Sequence, residues 1–430
     1  MNYSTLCIGS LHNDIDQSLN PVAVLHWLKT GKKVAPPYYL HIYPGGVEIG
    51  WEAKAQLTCL NGEKTETHNW VYALKQLCDE AACDNNKAFG YIGFDACDST
   101  QGFSPDKSTR FPLVQFFIPK HRIRIKNDAV EYIGTDCHLP EEIAQMPISQ
   151  PDFRLPRISP CTEFSEDDFI HAVARAKQRM SYNLSKVVLS RYIGFDYDGD
   201  LLALFNSYCL QQKYTDAIFM DFGQVSAAIA SPELLLQIDA GVLTANPLGG
   251  TRAAGENASE NSLTEKSFLC DRKELAEHVL GLVQMLAELQ PFCETDTLSV
   301  KKLLNITYQN NLMHLSSELK GCLKNGAHCI DAMLALFPSA MVSGVSKTEA
   351  IRCIRDMEPF PRGLYAGTAG WVSGSRDCRF SLTIRSLCKY GSRLFVQAGA
   401  GILAESEPAQ ENREVNLKIS AMLASLRHLR

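Results

Sequence analysis

Residues 406–418, SEPAQENREVNLK, place Glu407, Glu411, Glu414 and Lys418 at successive intervals of four, three and four. On a helix of about 3.6 residues per turn these intervals return to one face, so three carboxylates line a stripe that ends at an ammonium. Carboxylate oxygens suit a hard divalent cation, provided that a second segment completes the set. The stretch DRKELAEH, 271–278, offers it, because Glu274 and Glu277 stand three apart and share a helical face. Asp271 also fits an N-cap with Glu274 as its capping-box partner, a role that needs no metal. Since Mg2+ takes one or two carboxylates directly and keeps water elsewhere, Glu277 and Glu414 are expected as direct ligands, with Glu274 and Glu411 acting through water. Glu407, beside Pro408 in the first turn, favours the helix dipole and reads as a capping residue. Lys418 would offset repulsion among the acids or touch a substrate carboxylate.

Elements must hold these residues in place, and a chain of 430 residues is long enough for a large core. Its net charge of -6 argues against nucleic acid or an anionic membrane as partner, since both need a basic surface, and leaves small molecules as the expected ligands. KHRIRIK, 120–126, alternates Ile with Arg and Lys as a strand with one wet face does. The fifteen cysteines include no C-x-x-C pair, MNYSTLCIGSLHND lacks the features of a secretory signal, and no apolar run approaches the roughly 20 residues of a membrane helix. A reduced, cytoplasmic compartment is therefore expected, with most cysteines, including the one in HCID at 328–331, as core residues.

Residues 1 to about 155 read as strands and turns around one helical stretch, HNWVYALKQLCDEAAC, with YPGG, LNGEK and KNDA as breakers. SQPDFRLPRISP, 149–160, is the most linker-like segment, and Ser165 and Asp168 have capping-box spacing at the start of a helix. The runs KVVLSRYIGF, DAIFMDF, VSAAIA and ELLLQI look like antiparallel strands, followed by helices from about 270 to 355. GLYAGTAGWV, FSLTIRSL and RLFVQAG then suggest a meander, with a Gly391-Ser392 turn that pairs Tyr390 with Arg393. Counting back from it opposes Arg385 to Ala398 and Thr383 to Ala400, and alternation puts Ser381, Thr383 and Arg385 on one face. Such a row beside Gly399, Ala400 and Gly401 can bind an anion, through backbone N–H groups and a two-pronged guanidinium.

Ten blocks in order over 186–418 resemble the chorismate-utilising enzymes, which include anthranilate, aminodeoxychorismate, isochorismate and salicylate synthases. They are KVVLSR, SPELLL, PLGGTRAAG, KELAEH, MHLSSELKG, FPSAMVSGVSK, RGLYAGTAGWV, TIRS, QAGAGI and ENREVNLK. The resemblance implies an α+β fold, a large sandwich of mainly antiparallel sheets with outer helices. It also implies one integrated domain over 1–430, in which 1–155 completes the sheets of a chorismate-binding part at 160–430. Ammonia-using members typically carry Gln where this chain has Lys186, and an acidic block after the metal helix where this chain reads LGLVQMLAEL. Lys186 therefore resembles the base that activates water, and no glutaminase partner is expected. The KELAEH, GTRA and RGLYAG blocks look most like salicylate synthases of siderophore pathways, ahead of isochorismate synthases and of ammonia-dependent members.

The implied chemistry adds water at C2 of chorismate with loss of the C4 hydroxyl, then eliminates pyruvate to leave salicylate. Lys186 would be the base and Glu233, in SPELLL, an acid kept protonated by an apolar setting. Mg2+ on the glutamates would hold the ring carboxylate. Tyr365, Arg385 and the backbone at Gly399, Ala400 and Gly401 are implied on the enolpyruvyl carboxylate, and Thr251 and His314 in the pocket. Two departures stand out: GGTR replaces the commoner AGTR, and Ser346 in SGVSK stands where Pro is usual.

Overall fold

The computed structural model describes residues 6–7, 20–32, 34–60, 70–103, 110–126, 129–136, 138–146, 160–161, 164–210, 216–255, 257–309 and 312–427. Most of the amino-terminal stretch, most of LNGEK, the centre of KNDA and the linker-like segment up to residue 159 lie outside these residues. Twenty described strands join in one hydrogen-bonded network in which each ladder is antiparallel, with helices packed against it.

Long strands of the amino-terminal part, Gly46–Cys59 and Val114–Lys126, pair with each other. Their neighbours reach the rest of the chain: Tyr38–Tyr43 pairs with Asp216–Asp221, and Ala88–Ile92 with Thr368–Ser373. One core cluster accordingly draws Leu25, Phe116, Val187, Leu236, Met285 and Val415 from both parts.

The helix at Trp70–Cys83, the strand containing KHRIRIK and the Ser165–Asp168 capping box form as the sequence suggests. The segment expected to be helical from 270 to 355 does not stay helical. Between Arg272–Leu289 and Cys329–Leu336 it forms a long hairpin of Ser299–Gln309 and Leu312–Cys322, which carries His314. Here β-branched and alternating residues such as those of NITY outweigh a run whose apolar positions could also be read at helical spacing.

The expected meander needs a second correction. Tyr390 does pair with Arg393 and the register holds to Leu387 opposite Val396, but there the ladder stops. Asp377–Leu382 lies between Thr368–Ser373 and Leu234–Asp239, whereas Ser386–Tyr390 lies between Val225–Ser231 and Arg393–Ile402. The chain changes neighbours between the two, with Arg385 at φ 51° and its carbonyl accepting from Ala230 N–H at 3.1 Å and the Tyr208 hydroxyl at 2.8 Å. Arg385 and Thr383 are thus not ladder partners of Ala398 and Ala400, whose antiparallel partners are Arg191 and Leu189. The shared face of Ser381, Thr383 and Arg385 is lost as well: the Ser381 hydroxyl donates to Asp216 at 2.7 Å. GLYAGTAGWV is strand only from Thr368, with turns before it.

A fully buried ion pair ties those turns to the sheet. Arg362 bonds both oxygens of Glu358, at 2.9 and 2.6 Å, and donates to the carbonyls of Val188 and Val342. Glu358 in turn accepts from the Ser190 N–H and hydroxyl. This fixes Tyr365, three residues after Arg362, over the Lys186–Asp196 strand. Arg362→Met leaves a buried carboxylate without its cation, so chemical denaturation is expected to show a loss of about 3–5 kcal/mol. Adding Glu358→Gln should return part of that loss.

Candidate active site

Antiparallel pairing of Lys186–Asp196 with Arg393–Ile402 sets one wall, and the Arg272–Leu289 and Pro408–Arg427 helices bring the acids to it. Together with the Leu248–Ala253 strand and the turn at Arg385 they enclose about 700 Å³ of free space, part of it open to solvent. Of the residues singled out in the sequence, Glu233, Thr251, Glu277, His314, Tyr365, Arg385, Gly399, Gly401, Glu414 and Lys418 all line this cavity. Lys186, Glu274, Ala400 and Glu411 do not; they stand behind its wall.

Glu233 sits just before the Leu234–Asp239 strand, 4% exposed. Burial is the main cause that raises its carboxyl to about 8, against the pull of a bond from the Leu248 N–H and the charges of Lys186 and Lys418. At neutral pH it therefore holds a proton. Lys186 is fully buried at the head of its strand, with Nζ 3.3 Å from the Glu277 carbonyl and 3.4 Å from Glu277 Oε1.

Glu277 leans over a glycine, and the space is tight. A Cβ at Gly401 would stand 2.1 Å from its Oε1, so any side chain there would evict the carboxylate. Burial opposes its charge, but Lys186, Lys273 and Lys418 outweigh that and hold Glu277 well below the usual carboxylate range. Glu274 lies over Gly250, where φ is 62° and a Cβ would meet Oε2 at 2.6 Å; burial pushes this carboxyl up. Asp271 is an N-cap, accepting from Lys273 N–H at 3.0 Å and Glu274 N–H at 3.2 Å, while the Glu274 side chain turns into the acid cluster. Glu414 bonds Lys418 at 2.6 Å, and Lys418 also donates to the Gly399 carbonyl at 2.9 Å. Glu407 is exposed at the helix start, where its carbonyl accepts from the N–H groups of Gln410 and Glu411.

Whether these acids suit Mg2+ can be judged from their donors. All four offer carboxylate oxygens, and Glu274 Oε2 and Glu411 Oε2 are buried without a hydrogen-bond partner. The oxygen donors fit the ion in kind. As placed, no three carboxylates among the described residues stand close enough to hold a metal, and the Lys273 ammonium lies among Glu274, Glu277 and Glu411.

His314 donates from Nδ1 to the Gly250 carbonyl at 2.9 Å, with the Thr251 hydroxyl 3.4 Å from the same nitrogen. Burial and then the charge of Arg385 lower it to about 3, so it is neutral. Its Nε2 is left as a buried acceptor with no partner. The Tyr365 hydroxyl stands over Gly399, 2.8 Å from where a Cβ would be. Arg385 enters no ion pair among the described residues, and burial opposes its charge. The cavity thus offers cations at Arg385 and Lys418, a neutral acid at Glu233 and an acceptor at His314.

Sequence reasoning missed Gln397, which lines the cavity and donates to Ser190 at 2.8 Å, and the Glu358–Arg362 pair. Lys273, inside the KELAEH block, was missed too. Its position four residues before Glu277 was the available signal. The two departures have physical settings: a Cβ at Gly249 would meet His278 Nδ1 at 2.8 Å, and the Ser346 hydroxyl donates to the Asn183 carbonyl at 3.1 Å.

A family model described as chorismate binding enzyme matches residues 33–424. Anthranilate synthase component 1 of Aquifex aeolicus is 29% identical over 278 residues, 64% of this chain but only 56% of that protein, so the match spans little more than half of its length. The same component from Methanothermobacter thermautotrophicus is 27% identical over 397 residues, 91% of this chain and 84% of that protein. Among solved structures, the menaquinone-specific isochorismate synthase MenF of Escherichia coli superposes with a TM-score of 0.76 at 20% identity, over 95% of this chain and 92% of that one. Component I of anthranilate synthase from Streptococcus pneumoniae gives 0.75 at 22%, over 96% and 98%. At these identities the superpositions show the fold.

The proton on Glu233 has a measurable signature. The unfolded chain releases it near pH 4.3, the folded chain only near 8, so this group lowers stability progressively as pH rises between the two. Glu233→Gln removes that slope. Denaturation midpoints of the two chains across pH 5–9 should diverge in favour of the variant by up to about 1.4 kcal/mol per pH unit below 8 and run parallel above it.

Proposed function

Because the chain belongs to the chorismate-binding enzyme family, we propose that it is a Mg2+-dependent salicylate synthase that converts chorismate through isochorismate. The observation that carries this reading is a buried carboxyl with no ion-pair partner among the described residues, Glu233, in a cavity that also presents Arg385 and Lys418 to a dianion.

In the first half-reaction water bonds to C2, the ring double bonds shift, and the C4 hydroxyl departs as water. Glu233 gives the leaving hydroxyl its proton. Lys186, which meets Glu277 behind the cavity wall, would take the proton of the incoming water in its neutral form. Ammonia is nucleophilic without such help, whereas water needs a base, so an amine at 186 supports hydroxylation and no glutaminase partner is proposed. Arg385 and the Tyr365 hydroxyl would bind the enolpyruvyl carboxylate beside Gly399, Ala400 and Gly401, with Thr251 and His314 facing the ring. Glu277 and Glu414 would hold Mg2+ directly, with Glu274 and Glu411 behind them; the ion would supply a positive charge for the ring carboxylate. In the second half-reaction the C2 hydrogen passes to the enolpyruvyl methylene as the C3–O bond breaks, giving pyruvate and an aromatic ring. That step needs a held conformer and no further acid or base.

Two other reactions of chorismate are the alternatives: a shorter one that stops at isochorismate, and the amination that the name of the Methanothermobacter thermautotrophicus relative suggests. One assay separates the three: purified protein, chorismate and Mg2+, with and without ammonium, resolved chromatographically over time. Salicylate and pyruvate are expected in equal amounts and should vanish with EDTA. Isochorismate without pyruvate would establish the shorter reaction, and an ammonium-dependent aromatic amine the amination. Lys186→Met should cut turnover on the order of 10²–10⁴-fold while chorismate still binds.

A further inference from the structure

Lys273 occupies the centre of the acid cluster. Its Nζ lies 3.3 Å from Glu274 Oε1, 3.2 Å from Glu277 Oε2 and 3.3 Å from Glu411 Oε1, and so bridges the Arg272–Leu289 and Pro408–Arg427 helices. Its side chain is 16% exposed, against 7%, 11% and 3% for its three partners. These oxygens stand at ammonium distance, whereas Mg2+ demands about 2.0–2.1 Å. The lysine lies among these carboxylates and neutralises part of their charge. This explains why they can be buried together before any ion arrives, since uncompensated carboxylates would repel one another.

We propose that Lys273 is an internal cation that holds the cluster together in the free protein, and that a divalent ion enters only by displacing its ammonium. The inference rests on the Mg2+ site of the preceding reading. An ammonium and a divalent ion cannot both sit against Glu277, which is the lysine's partner and one of the two carboxylates that would hold the ion directly, and their like charges repel at that distance. The two unpartnered oxygens, Glu274 Oε2 and Glu411 Oε2, are what the lysine leaves unused and an incoming ion can recruit directly or through water. Displacement makes metal binding weak in the absence of substrate, without any change in the ligands themselves.

Calorimetric titration of Mg2+ into wild-type protein, Lys273→Met and Lys273→Arg, each without chorismate, tests this. Lys273→Met keeps the stem and removes the charge, and should bind Mg2+ on the order of tenfold or more tightly than wild type. Its thermal midpoint should be lower than wild type in EDTA and recover in Mg2+. Lys273→Arg should stay weak. On the wild-type chain, the Nζ resonance that Lys273→Arg removes should lose its protection from exchange when Mg2+ is added. Equal Mg2+ affinity in wild type and Lys273→Met, or a Lys273 resonance indifferent to Mg2+, would overturn displacement and leave the metal site standing. If no chain takes up Mg2+, the cation reading falls and this proposal with it. Tighter binding by Lys273→Met would support displacement even if chorismate yields a different product.

Discussion

Carboxylates can be buried together only if positive charge is buried with them, and the centre of this molecule is organised around that requirement. Four glutamates from two helices cluster at one cavity, with Glu277 and Glu414 in its lining and Glu274 and Glu411 behind them, answered by Lys186 from a strand, Lys273 from the same helix as two of the acids, and Lys418 from the same helix as the others. The cluster is neither neutral nor uniform. Glu277, beside two ammoniums, is held ionised, whereas burial raises Glu274 and Glu411 toward the neutral form. Glu233, without an ion-pair partner among the described residues, is raised further still. One fold thereby keeps a carboxylate and a carboxylic acid in a single cavity, the condition for binding a cation and donating a proton at the same pH.

Backbone construction makes that density possible. Gly401 and Gly250 let carboxylates lie directly on the main chain, and Gly399 does the same for the Tyr365 hydroxyl. The Glu358–Arg362 pair lies beneath, satisfied on both sides by backbone and by Ser190, so the segment bearing Tyr365 is held by groups that never face the cavity. At Arg385 the chain leaves one pair of strands for another, and this change of neighbours turns the guanidinium toward the opening.

Much of this was legible in the residues. The glutamate spacings of four and three put Glu274 with Glu277, and Glu411 with Glu414, on common helical faces, as the helices bear out. The Gly391-Ser392 turn gave the register of its hairpin as far as Leu387. Periodicity failed between 299 and 322, where a hairpin carrying His314 stands in a stretch that could be read as helix. Alternation failed from 383 to 385, because a strand's neighbours depend on distant segments that no local pattern encodes.

What the sequence determined by itself is the inventory: which acids share a helix face, which strand begins with Lys186, where glycines leave room. These follow from local geometry, since 3.6-residue and two-residue periods act over a few neighbours. Tertiary structure alone decided which charges meet. Lys273 reaches Glu411 138 positions away, Lys186 reaches Glu277 91 away, and Glu233 meets too little water to ionise near its ordinary value. Protonation depends on desolvation and on charges brought together by folding, so the same residue types could not have revealed it before the chain was closed.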